Sequence, residues 1–203
     1  MQKENNNSIS KSRIPVANNS ICETEDAAKG IHRFFDVYHL PAAIGLMESI
    51  LEASTLPKVW QLEQPADGLC FIQHVKQLIA ASYAVHNKYP ANKVAIKRTA
   101  ACLMPGISHT WETFPRSLTA KQYAKPYYAI SECCSYMPEV EWKQLLHDIT
   151  ECALSNTTLY EMQPECNILR VRRYLLRLLE ACYLVHIQSD AMANANNRRV
   201  RNK

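Results

Sequence analysis

The chain has 203 residues, 47% of them apolar and 21% charged, a globular composition long enough to bury a sizeable core as one domain or two small ones. Its formal charge of +4 lies in its ends: residues 1–22 carry +2, residues 187–203 carry +3, and the body between them carries −1. That distribution argues against a broad nucleic-acid-binding face on the body, and no apolar run reaches the ~18 residues a membrane helix needs.

Only four glycines occur, and Leu, Ala, Glu, Lys and Gln dominate the longer runs, so an all-α fold is expected. Residues 1–21 are polar, without period, and read as a disordered leader. A helix should begin near Thr24 and bury Ile31, Phe34, Phe35 and Tyr38, which step at i, i+3, i+4, i+7. Pro41 suits the first turn of a second helix, with Ile44, Leu46, Met47, Ile50 and Leu51 on its buried stripe. A third, longer helix opens near Pro65 and carries Leu69, Ile72, Val75, Leu78, Ile79, Ser82 and Val85. It should stop before Pro90.

Residues 90–118 read as a connector with one helix over Lys93–Cys102. Ser117 or Thr119 then caps a short helix. Pro126 opens the next helix. Another follows Pro138 with Val140, Trp142, Leu145, Leu146, Ile149 and Ala153. The last carries Ile168, Val171, Leu175, Leu178, Leu179, Cys182 and Val185, before a frayed basic tail over 189–203.

The chain repeats itself. Leu78-Ile-Ala-Ala-Ser-Tyr-Ala-Val-His86 returns as Leu178-Leu-Glu-Ala-Cys-Tyr-Leu-Val-His186, with five of nine positions identical. Leu40-Pro41 pairs with Met137-Pro138, and Gln64-Pro65 with Gln163-Pro164. The expected architecture is a helical bundle from two copies of a three-helix unit, over about 24–89 and 119–188, within a single domain spanning 22–188. This order of helices resembles small uncharacterised helical proteins of bacteria over residues 28–86 and 123–186. The resemblance implies an all-α fold and no activity.

Chemistry is harder to find. There is no H-E-x-x-H, C-x-x-C, G-x-S-x-G or phosphate-cradling loop, so no catalytic residue, metal site or cofactor is expected. The eight cysteines read as reduced thiols of a cytoplasmic protein, with Cys70, Cys152 and Cys182 acting as small hydrophobes in helical stripes. Tyr83 with His86, and Tyr183 with His186, share helix faces and would line a ligand site if the copies face each other. Arg170, Arg173 and Arg177 form a basic stripe, with Arg172 beside it and Arg198, Arg199 and Arg201 in the tail. These arginines can contact phosphates, or form a solvated face paired with acids such as Glu180. The acids Glu139/Glu141 and Glu161/Glu165 read as helix N-terminal charge. The first expectation is a non-enzymatic helical interaction or regulatory protein acting through an unknown protein partner. A nucleic-acid-associated regulator using the basic helix and tail is the alternative, and a ligand binder or enzyme at the repeat interface the second.

Overall fold

The computed structural model describes residues 22–60, 64–88 and 113–201. All regular structure among them is helical: α1 (Cys22–Val37), α2 (Leu40–Thr55), α3 (Pro65–Lys88), α4 (Ala120–Ala124), α5 (Pro126–Tyr136), α6 (Glu139–Ala153), α7 (Leu159–Met162) and α8 (Ile168–Arg201). The leader and the helix expected over Lys93–Cys102 lie outside the described residues.

Local chemistry accounts for most of the helix starts. Prolines open α3 and α5 and occupy the first turn of α2, where a missing N–H costs nothing. The two shortest helices begin with capping boxes. Thr119 and Gln122 exchange hydrogen bonds at the start of α4, and Thr158 and Glu161 do so at the start of α7.

Two layers of neighbours follow. α1 lies along α3, and α5 lies along α8. α2 faces α6 across the middle; α2 also meets α8 as α6 meets α3, and α1 touches α8 as α5 touches α3. The core joins both halves, with Ile31, Met47, Phe71 and Ile79 from one and Ile130, Trp142, Leu146 and Ile149 from the other all fully buried. Each large apolar side chain so buried contributes roughly 1.5–3 kcal/mol of transfer free energy.

At the centre, Ser82 Oγ of α3 meets Cys182 Sγ of α8 at 3.4 Å, both residues fully buried. Ser82 also donates to Leu78 O at 2.7 Å, so its hydroxyl is satisfied within its own helix. Small side chains let the two long helices touch at Ser82 and Cys182. Ala81, one position earlier, is buried toward α1, where a Cβ on Gly30 would stand 2.9 Å from its own.

The end of the connector is held by a carboxylate. Glu180, 1% exposed, accepts backbone N–H bonds from Arg116, Ser117 and Leu118 at 2.8–3.1 Å. Arg177 Nε donates to Ser117 O at 3.1 Å from the same side. A buried carboxylate is tolerated when several donors converge on it, and here three successive amides do. Glu180 is therefore a buried anchor, where the sequence suggested a surface partner for Arg177.

Three stripe positions differ from expectation for one reason: a helix turns about 100° per residue. The buried face of α3 is Gly68, Phe71, Ile72, Val75 and Leu78, which leaves Leu69 off its edge and Cys70 on the opposite side, both exposed. Val140, two residues before the buried Trp142, is 78% exposed. The backbone of α8 is helical on through Arg201, across the stretch read from sequence as a frayed tail.

Trp60 closes the first half. Its N–H bonds Ala153 O at 2.7 Å, its Nε1 donates to Ser49 Oγ at 2.8 Å, and its indole lies on Gly68. A Cβ at Gly68 would come within 1.9 Å of the ring, whereas one at Gly45 in α2 would meet nothing within 4 Å. Gly68→Ala should therefore lower the unfolding free energy by about 1–3 kcal/mol through displacement of Trp60. Gly45→Ala should raise it by up to about 1 kcal/mol through helix propensity. Urea unfolding followed by far-UV circular dichroism measures both, and equal effects of the two changes would refute the packing assigned to Trp60.

Candidate functional site

α5, α6 and α8 leave a groove where one helix ends and two begin. It encloses about 600 Å³. Tyr136 and Met137 come from the end of α5, and Glu141, Gln144 and Leu145 from the first turns of α6. Residues 163–167 bridge α7 and α8, and Arg170 and Val171 open α8. Leu145 and Val171 are buried and make an apolar floor. The volume falls in the range of small-ligand and short-peptide sites.

The aromatic wall is rigidly held. The Tyr136 ring stacks on Tyr174 with centroids 4.2 Å apart, and the Arg170 guanidinium sits 5.0 Å from the Tyr136 centroid. Arg170 is thus engaged with a ring of its own chain. Asn167 Oδ1 accepts the Arg170 N–H at 3.0 Å and caps the start of α8.

The polar wall is organised by Asp148, which is buried on α6. Gln144 Nε2 donates to one of its oxygens at 2.8 Å, and Gln163 Nε2 donates to the other. A carboxylate only accepts, so it fixes the orientation of both amides. Each amide keeps its carbonyl oxygen and its second N–H toward the groove lining. Glu141 and Glu165 are exposed and add two carboxylates to it.

The arginines, tyrosines and histidines singled out from sequence fall elsewhere, apart from Arg170. Arg172 pairs with Glu48 of α2, Arg177 holds the connector at Ser117, and Arg173 is exposed on α8. Arg198, Arg199 and Arg201 lie on the helical backbone of the last turns of α8. Tyr83 Oη donates to Cys134 O at 3.2 Å and to Met137 O, which ties α3 to the end of α5. Tyr183 packs its ring against Phe35 of α1 at 5.4 Å. Each tyrosine therefore reaches the first helix of the other half.

The histidines are treated differently. His186 Nδ1 lies 2.7 Å from His32 Nδ1, the rings 4.8 Å apart and beside Phe35. His86 Nδ1 is buried without a hydrogen-bond partner among the described residues, so His86 and His186 share no hydrogen bond through it. A separate polar cluster lies on the outer side of α3. There His74 Nδ1 lies 2.9 Å from Cys70 O, 3.6 Å from Cys70 Sγ and 3.4 Å from Tyr38 Oη. Among the described residues, no three His, Cys, Asp or Glu side chains are placed to hold a metal ion, and no helix is long and apolar enough to cross a membrane.

The groove was not visible in sequence as a site. Its walls come from segments up to 35 residues apart, from Tyr136 to Val171, and their side chains carry no motif. The sole traces were Arg170 in the basic stripe and the acids Glu141 and Glu165, which read as helix N-terminal charge. The chain matches no known family model, no curated protein and no solved structure.

Burial governs the acid–base behaviour of the interior. It pushes the thiols of Cys134 and Cys182 up from about 9 to about 12 and raises Cys133 well above its ordinary value. Burial, aided by Cys70, lifts Tyr38 to about 12, and burial with the Cys134 thiol raises Tyr83. A raised acid keeps its proton in the folded chain while the unfolded chain releases it. The stability these groups confer is complete below pH 9 and is lost between about 9 and 12. Under reducing conditions the urea midpoint should hold from pH 7 to 8 and fall by pH 10, with Cys134 and Cys182 each contributing ~1 kcal/mol. The double change Cys134→Ala/Cys182→Ala should flatten that fall; an unchanged slope would show that these thiols do not set it.

Proposed function

We propose that this protein is a non-enzymatic binding module that receives a segment of a partner protein in the groove between α5, α6 and α8. The observation that carries the reading is the groove itself. It combines an apolar floor, a braced aromatic wall and two amides fixed by a buried carboxylate. Preorganised acceptors and rings of this kind lower the cost of ordering a bound chain. A protein partner is preferred to nucleic acid because Arg170, Arg172 and Arg177 are engaged within the chain, by Tyr136, Glu48 and Ser117.

The same reading treats α1–α2–α3 and α5–α6–α8 as copies of one duplicated unit about a pseudo-twofold axis. Support comes from the main neighbours, since α1–α3, α2–α8 and α1–α8 become α5–α8, α6–α3 and α5–α3 when the two sets are exchanged, and from Ser82 and Cys182, which meet one hundred positions apart. The copies have diverged in their chemistry. At the offset that pairs Leu40-Pro41 with Met137-Pro138, Ala129 stands where His32 stands in the first copy. His186 has a ring to meet; His86 has no counterpart.

A photo-crosslinking amino acid placed at Gln144 or at Glu165, with Arg33 of α1 as control, tests the reading in native lysate. The expected result is one defined protein adduct from both groove positions, unaffected by nuclease and missing from the Arg33 control. Adducts that vanish with nuclease, or that form equally from Arg33, would overturn it.

A further inference from the structure

We infer that the segment this groove takes is basic, presenting lysine or arginine side chains. The inference rests on the groove reading above and adds the sign of the ligand. The charges around the groove are unequal. Glu141 and Glu165 line it, and the buried Asp148 stands directly behind Gln144 and Gln163. The one cation in the lining, Arg170, lies over the Tyr136 ring. The nearest other lysine on α6, Lys143, pairs with Glu139 one turn earlier.

Three carboxylates thus meet one arginine. The starts of α6 and α8 contribute partial positive charge, offset in part by the carbonyl end of α5. Hydrogen bonding suits either sign. Asp148 takes one N–H of each glutamine, which leaves each with a carbonyl oxygen that accepts and one N–H that donates, so the sign of the ligand is set by the charges. Ammonium and guanidinium groups carry only donors, and a peptide backbone adds N–H groups in series. An acidic segment would face three like charges in and behind the lining, with Arg170 already engaged and Arg173 one turn further along α8, outside the lining. The long aliphatic stems of lysine and arginine also suit a floor of Leu145 and Val171.

The test is calorimetric titration of the full chain with blocked nonapeptides, one of alternating alanine with lysine and arginine, the other with glutamate in their place. Spermidine serves as a free-amine comparison. The basic peptide should bind at least about tenfold more tightly than the acidic one and than spermidine. Glu141→Gln/Glu165→Gln, at two exposed sites, should weaken it about fivefold, and Arg170→Gln should not weaken it. Tighter binding of the acidic peptide, lost in Arg170→Gln, would overturn the sign of the ligand and leave the groove reading standing. Spermidine binding as tightly as the basic peptide would overturn the assignment to a protein segment. Binding by neither peptide, or binding indifferent to both variants, would overturn this inference and the groove reading together.

Discussion

The constraint on which the rest of the structure depends is the burial of one shared apolar core, inside which Ser82 of α3 and Cys182 of α8 meet. The two helices meet at a point, through the small side chains of Ser82 and Cys182, while Ala81 faces Gly30 of α1. The next residue of each helix, Tyr83 and Tyr183, reaches the end of α5 and the side of α1 respectively. α2 and α6 then close the middle, where the apolar faces of both halves merge into one core. A half alone would expose that face, and about 65 residues bury too little surface to compensate.

The groove follows from the same frame. Helices pack along their lengths, but their ends splay, and α5 stops at Tyr136 just where α6 and α8 begin. The recess stays open because its walls are braced from behind, by Tyr174 under Tyr136 and by Asp148 under the two glutamines. In the first half, the region between α2 and the start of α3 is covered by Trp60, seated on Gly68 and bonded to Ser49.

Much of the helical order was legible because it rests on local signals. Prolines at helix starts, Thr119 as a cap and the stripes through Ile31, Phe34 and Phe35 or Leu145, Leu146 and Ile149 all act within a few residues. The meeting of Ser82 and Cys182 was hinted at by the nine-residue repeat, since equivalent small residues recur there. Glu180 was misread because a glutamate beside Arg177 at i+3 resembles a surface pair; its place within an unbroken apolar run, Leu178 to Cys182, was the better signal. The groove was out of reach. Its lining depends on which helix ends converge, and residues such as Gln144 and Gln163 acquire meaning only through a shared contact with Asp148. His32 likewise meets His186 across 154 positions, a pairing that no spacing rule encodes.

The central claim is that this groove is where the protein meets its partner. Amide hydrogen exchange by mass spectrometry, on the full chain alone and saturated with the basic peptide, tests it most directly. The account predicts slowed exchange confined to residues 136–145 and 163–171, the segments that form the groove. Protection falling instead on the arginine-bearing end of α8, or on α1 around the His32–His186 pair, would contradict it.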